Sequence, residues 1–467
     1  MIQTLKNAWK TPELRGKILF TLLILLLYRL GANIPVPFVD ADAMKATFDM
    51  QNGLLGYMNL LSGGALAQGT LFALNVSPYI TASIVIQLLT IALPFMERWS
   101  KEGEAGRKKI NAVTRYTTVG LSLITAIGYY FLLKGNSTGS YLTKNGQGWF
   151  GAIVIIACFC AGSSLIMWLA EKINEKGIGN GVSMILFVNI LSGIYNWLVQ
   201  TWYIVFPRGD FGSFVSEITE TRDFWHTSWW GLIVAVLMIA LTLASVFLIV
   251  WFTESERRIP IQYAKRQVGR KMYGGQSSNL PLKMNMAGVM PVIFASSIAS
   301  IPATIASFCK EDSWMYKFAN EWFSPATWPY LVVSVVLIFL FSYFYIMISF
   351  NPVEVANNIK NQGGSVPGIR PGKPTSDYIK KILGRITTLG AVFLAVVAGV
   401  PMLVNIINTA IVAANTSSSG SVAAGTITFS GMAFAGTSML IVVGVALETF
   451  RSLESQLAMR NYKGFLD

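Results

Sequence analysis

LFALNVSPYITASIVIQLLTIALPF, from Leu71 to Phe95, carries no charged residue. A helix crossing the hydrocarbon core of a bilayer needs roughly 20 apolar residues, so this stretch reads as a membrane span. The character reverses directly after it, in MERWSKEGEAGRKK (Met96 to Lys109), where basic and acidic residues crowd together. An apolar block ending abruptly in a charged block is the signature of a helix leaving lipid for water.

The same alternation recurs along the chain. Further spans are predicted at Ile18 to Pro35, Tyr116 to Leu133, Trp149 to Ala170, Ile178 to Val199, Trp229 to Phe252, Ala287 to Phe308, Trp328 to Phe350, Ile386 to Asn408 and Ile427 to Leu447, ten in all. A composition of 53% hydrophobic and 13% charged residues agrees with lipid as the main solvent. The first span follows Lys6, Lys10, Arg15 and Lys17 without a small-residue cleavage site after it, so it is read as a retained helix rather than a signal peptide.

The net charge of +13 is segregated: one alternate set of connections, with both ends of the chain, holds 28 of the 36 Lys and Arg residues. By the positive-inside rule that side is cytoplasmic, which puts both termini there and agrees with an even number of spans. Two loops on that side, about Thr253 to Met286 and Asn351 to Arg385, are longer than topology requires. The first alternates apolar and basic residues (RRIPIQYAKRQVGRKMY, Arg257 to Tyr273), favouring extended or hairpin structure. The second contains GGSVPGIRPGKP (Gly363 to Pro374), a turn-rich exposed tip. Both could be gripped by a soluble partner.

Gly53 to Gly69 (GLLGYMNLLSGGALAQG) is apolar but too short to cross, and is broken by Gly63 and Gly64. Such segments are re-entrant or interfacial, and irregular backbone at membrane depth survives only against protein or a wet cavity. A repeat, Pro-x-Ile-x-Ala-Ser, occurs at Pro78 to Ser83 in span two and Pro291 to Ser296 in span seven. Five spans separate the copies, so they run in opposite directions, as in inverted halves around a central site. The expected halves are 1–200 and 201–467.

Enzymatic motifs fail on context. Gly135-Asn-Ser137-Thr-Gly139 matches a nucleophile elbow, but it lies in a polar external loop, and the single histidine, His226, lies in another. Gly368 to Thr375 resembles a phosphate loop with one residue too few between its glycines and Pro374 at the hydroxyl position. Gly177-Ile-Gly179-Asn-Gly181 opens a membrane helix without a preceding strand, which leaves close backbone packing. Cys158, Cys160 and Cys309 suggest no disulfide framework. No carboxylate or histidine sits near the centre of a span, as ion coupling or metal binding would need; Arg29 and Glu448 lie toward span ends. No catalytic residue, metal or cofactor is implied.

NVSPYITASIVIQLLT (Asn75 to Thr90), KEGEAGRKKINAVTRY (Lys101 to Tyr116), EKGIGNGVS (Glu175 to Ser183), YAKRQVGR (Tyr263 to Arg270), LPLKMNMAGVMPVIFASS (Leu280 to Ser297) and PGIRPGKPT (Pro367 to Thr375) are similar, in order, to signatures of the SecY family. These are the pore-forming subunits of the bacterial Sec protein translocase. The resemblance extends from the first helix to the carboxyl tail. It implies a protein-conducting channel of two pseudo-symmetric halves in the cytoplasmic membrane, with a plug, an apolar ring and a lateral gate of spans two, three, seven and eight.

The ring positions implied are Ile80, Ile84, Val182, Leu186, Ile293 and Ile441, where Val182 and Leu186 replace the isoleucine expected. The plug corresponds to Gly53 to Gly69, with Leu54, Leu55, Met58, Leu60, Leu61, Gly63 and Gly64. Motor or ribosome contacts correspond to Lys265, Arg266, Arg270, Lys271 and Arg370. The implied partners are SecE and SecG in the membrane, the SecA motor with ATP, the ribosome, signal sequences, nascent polypeptides and lipid. The main alternative is a secondary transporter of small solutes, favoured by the inverted repeat and opposed by the absent coupling residues.

Overall fold

A computed structural model describes residues 6, 8–40, 44, 64–66, 68–134, 141–143, 146–205, 229–263, 266–268, 271–273, 277–306, 313–323, 327–419 and 437–463. Its body is a helical bundle: α1 (Pro12–Gly31), α2 (Ser77–Ala92), α3 (Pro94–Lys101), α4 (Glu104–Lys134), α5 (Trp149–Lys176), α6 (Gly181–Val205), α7 (Trp229–Glu254), α8 (Met290–Ala306), α9 (Trp314–Phe323), α10 (Trp328–Ser349), α11 (Pro352–Asn361), α12 (Lys373–Ser419) and α13 (Thr437–Lys463). Each of the ten apolar segments overlaps one of these helices. Trp149–Lys176, Trp328–Asn361 and Lys373–Val404 are each long and apolar enough to cross a membrane unaided, and α2 with α3, bent by 99°, makes a fourth candidate.

Local chemistry fixes the helix ends. Pro12 stands in the first turn of α1, where its missing N–H costs nothing, and Arg29 lies in the last turn, against the negative end of the dipole. The α2–α3 bend falls at Leu93, which is extended (ψ 117) because Pro94 follows it. Asn351 caps α11, its Oδ1 accepting from the N–H of Val353 at 3.2 Å and of Glu354 at 3.5 Å. The outer face of α1 exposes Leu19, Leu22, Leu23, Leu26 and Leu27, each about half accessible. A leucine-covered outer surface suits contact with lipid, which is as apolar as leucine itself.

Both long loops carry defined structure. In the first, β1 (Glu256–Tyr263) pairs antiparallel with β4 (Ser277–Lys283), Ile259 opposite Leu280, and β2 (Arg266–Val268) pairs with β3 (Lys271–Tyr273). The second loop adds β5 (Gly364–Ser365) to the other edge of β1, giving the order β4-β1-β5. Helix α12 begins at Lys373, earlier than the predicted Ile386, because its first turns bury Ile379, Ile382, Leu383 and Ile386 against Ile259, Ile261 and Val366. The two loops therefore form one body built on the start of α12.

In the bundle, α2 packs on α4, α4 on α5 and α5 on α6, while α8 packs on α10, α10 on α12 and α12 on α13. The two series meet along α2 with α8, along α4 with α8, and along α6 with α7 and α13.

Candidate functional site: the apolar constriction

The repeated hexapeptide has a plain structural meaning. Pro78 lies in the first turn of α2 and Pro291 in that of α8, so both copies mark helix starts. From each start the same positions turn inward: Ile80 is 6% exposed and Ala82 0%, Ile293 is 4% and Ala295 2%. The two helices pack against each other.

Ile84 is 1% exposed, Leu186 7% and Ile441 6%, and Val182 is half-buried. Ile80, Ile84, Leu186, Ile293 and Ile441 belong to one hydrophobic cluster and Val182 packs against it, the six contributed from α2, α6, α8 and α13. The cluster is larger than these six, extending to Tyr28, Phe72, Ile166, Ile185 and Phe341. Every fully buried polar side chain among the described residues is Ser, Thr, Asn or Tyr; none is Asp, Glu, Lys, Arg or His.

Glycine permits the closest approaches. A Cβ at Gly181 would lie 2.0 Å from the Ala170 carbonyl oxygen, so α5 and α6 meet backbone to backbone. Gly179, at φ +80, turns the chain between them, and Asn174 Oδ1 accepts from the Gly181 N–H at 2.7 Å. The Gly177–Gly181 motif is thus a close-packed turn, as its sequence suggests. A cavity of about 300 Å³ opens beside the cluster. Ile293, Phe393 and Leu440 line it along with the polar groups of Lys283, Asn285 and Arg451. Burial and the nearby Arg451 guanidinium hold the Lys283 ammonium pKa below its ordinary value. Arg451 itself donates to Glu254 Oε1 at 2.8 Å and to the Thr253 carbonyl at 3.1 Å, tying α13 to the end of α7.

Of the plug positions, Leu54, Leu55, Met58, Leu60, Leu61 and Gly63 lie outside the described residues. The end of that segment is well tied. Gly64 turns at φ +87, Ala65 and Leu66 are buried, and the Ala65 carbonyl accepts from both Thr70 N–H and Thr70 Oγ1 at 3.2 Å. Tyr129 Oη donates to the Leu66 carbonyl at 2.8 Å.

Lys265 and Arg270 also lie outside the described residues, as do His226 and Cys309, while Arg266 and Lys271 begin the paired strands β2 and β3. Arg370 is exposed between two left-handed glycines, Gly368 (φ +80) and Gly372 (φ +104). Thr375 Oγ1 donates to its carbonyl at 2.9 Å, fixing the backbone behind it. The β1–β5 pairing of Tyr263 with Gly364 joins the loop that carries this tip to the loop that carries the basic hairpin, whose strands β2 and β3 form a separate two-stranded sheet. That pairing had no sequence signal, since it joins two short edges far apart in the chain.

The SecY family model matches residues 70–450. The protein translocase subunits SecY of Streptomyces coelicolor and Bacillus subtilis are 40% and 39% identical, each over 100% of both chains. A solved protein-conducting channel superposes with a TM-score of 0.59 at 15% identity, covering 94% of this chain and 92% of the other. Sec61 from a canine ribosome-channel complex gives 0.55 at 14% identity, with the same coverage. Family match, full-length identity and shared fold agree, and the chain belongs to the SecY family.

Proposed function

We propose that this chain is a protein-conducting channel, through which unfolded secretory polypeptides cross the bacterial cytoplasmic membrane and signal or transmembrane segments leave sideways into lipid. The observation that carries it is the single buried cluster holding Ile80, Ile84, Leu186, Ile293 and Ile441, with Val182 packed against it, drawn from four helices. A channel for any sequence must accept every side chain yet leak few ions. An aliphatic constriction does this by dewetting when empty and sealing around a chain without specific bonds. Solute carriers instead need carboxylates, histidines or basic groups at the centre, and the buried polar set among the described residues holds no Asp, Glu, Lys, Arg or His.

The chain crosses the membrane ten times with both termini in the cytoplasm, halves 1–200 and 201–467 flank the pore, and the segment 53–69 plugs it. Opening parts α2 and α4 from α8 and α10. Force comes from outside the chain: a SecA motor with ATP, or a translating ribosome, docks on Arg370 and the hairpin bearing Lys265, Arg266, Arg270 and Lys271. SecE and SecG are the membrane partners. The ribosome-bound state of canine Sec61 and of yeast Ssh1, which share the fold, supports a ribosome among them.

Crosslinking tests the pore directly. A secretory chain stalled in transit should crosslink to cysteines placed at Ile80, Leu186, Ile293 and Ile441, and not to cysteines on the outer face of α1. Crosslinks absent from the four ring positions would refute the assignment. Copurification with SecE, against solute-driven proton uptake in vesicles, separates channel from carrier.

A further inference from the structure

Tyr28, Asn75 and Asn189 come from three separate elements and meet inside the bundle at 0%, 4% and 0% exposure. Tyr28 Oη donates to Asn189 Oδ1 at 2.9 Å, and Asn189 Nδ2 donates to Asn75 Oδ1 at 3.0 Å. The Tyr28 hydroxyl also lies 3.5 Å from Asn75 Oδ1, which closes the triangle. Nothing in the apolar seal described above requires amides at this depth.

The placement is specific. On α6, Asn189 follows Val182 and Leu186 at helical spacing, so it shares their face, one turn beyond the ring. Asn75 immediately precedes α2 and stands before Ile80 in the chain. Because α2 and α6 run in opposite directions in the proposed topology, both asparagines fall on the external side of the ring.

Asn75 is held in the left-handed region at φ +53, one of only two non-glycine residues with positive φ among the described residues. Asparagine tolerates that conformation better than most residues. Its neighbours are clamped as well. The Phe72 ring stacks on Tyr28 at 5.3 Å and 6°, and sits so close to Gly31 that a Cβ there would be 2.2 Å away. The Leu71 carbonyl oxygen would be 1.9 Å from a Cβ at Gly162. The turn linking the segment that ends at Gly69 to α2 is thus seated against α1, α5 and α6 together.

We propose that Tyr28, Asn75 and Asn189 form a polar lock that fixes the amino-terminal end of α2 against α1 and α6 and sets the threshold for opening the channel. In the closed bundle the three groups satisfy one another. Moving α2 away breaks the Asn75–Asn189 bond and leaves buried polar atoms without partners until water reaches them, so the three let go together. The lock adds to the ring a polar, directional term that resists spontaneous opening.

This inference rests on the channel reading, and one experiment separates the two. Resting conductance of the purified full-length chain is measured in planar bilayers for Tyr28→Phe, which keeps the ring stack, and Asn75→Gly, which keeps the left-handed turn. Ile441→Asn serves as the ring control. Each lock variant should raise resting open probability by about two- to tenfold, from the net worth of a hydrogen bond. The double variant should rise less than the product of the two single effects, because both remove the same network. Normal conductance of both single variants, with Ile441→Asn leaky, would overturn the lock and leave the channel intact. Multiplicative effects in the double variant would reduce the triad to independent packing contacts and overturn it too. Absence of any conductance, including from Ile441→Asn, would remove the channel reading itself. If Asn75→Gly fails to fold, Tyr28→Phe alone carries the test, since it deletes only a hydroxyl; normal conductance in that variant overturns the lock.

Discussion

Ile441→Asn tests the constriction with a change small in volume and large in polarity. Ile441 is 6% exposed and belongs to the central cluster with Ile80, Ile84, Leu186 and Ile293. Asparagine brings two donors and an acceptor into that space. A buried amide without partners costs about 1–3 kcal/mol, and in an open, wet pore water removes the cost. The closed state alone is penalised, so the closed-to-open equilibrium moves by roughly 5- to 150-fold. Resting conductance in planar bilayers should rise in that range, and export of a substrate with a defective signal sequence should improve, because less signal energy is needed to open. Ile441→Leu conserves volume and should cost less than about 1.5 kcal/mol without the polar penalty, leaving the seal tight. Should Ile441→Asn fold, insert and conduct like the parent, Ile441 does not belong to the seal.

Three further outcomes follow from the structure. Arg370→Glu should abolish motor-driven transport in proteoliposomes while insertion and SecE binding persist, and Arg370→Lys should be partly defective because an ammonium lacks the planar fork; full activity of Arg370→Glu would reduce the tip to a topological charge. Deleting Leu54 to Gly64, and sparing the Ala65 carbonyl that Thr70 holds, should leave a folded but leakier channel, and unchanged resting conductance would remove the plug. Gly181→Ala places a Cβ 2.0 Å from the Ala170 carbonyl oxygen. It should destabilise the bundle by about 1–3 kcal/mol, read as a lower Tm in detergent, and an unaltered Tm would show that the α5–α6 contact relaxes freely.

Helix positions were legible because a charge-free run of this length has few alternatives to a membrane or buried helix. Extended structure in the first loop was legible from its alternating residues. The early start of α12 was missed, although Ile379, Ile382, Leu383 and Ile386 repeat at helical spacing and signalled an amphipathic turn before the span. The β1–β5 pairing was not legible, since Gly364–Ser365 is too short to carry a strand pattern. Ring membership came from resemblance alone: in an apolar helix, an aliphatic facing a pore and one facing lipid look the same. Asn75 and Asn189 carry a signal of a different kind, because an amide in a charge-free span needs a buried partner or water.

Tightness and opening place opposite demands on one bundle, and the distribution of close contacts reconciles them. Glycines let backbones touch at Gly181 with Ala170, at Gly162 with Leu71, and bring α13 against the start of α8, where a Cβ at Gly444 would lie 2.0 Å from Val289 Cγ2. Close packing of this kind resists sliding most where backbone meets backbone, at the α5–α6 turn. The contact of α2 with α8 has no such glycine among the described residues. It meets through side chains, Ile80 and Ile84 on one helix and Ile293 on the other, all in the central cluster. Aliphatic contacts are non-directional, and a translocating chain can replace them with its own apolar side chains at little net cost. The seam proposed to part is therefore the one whose contacts a substrate can imitate, with the polar triad as the directional contact that opening must break, while glycine-packed joints hold the rest of the bundle in register.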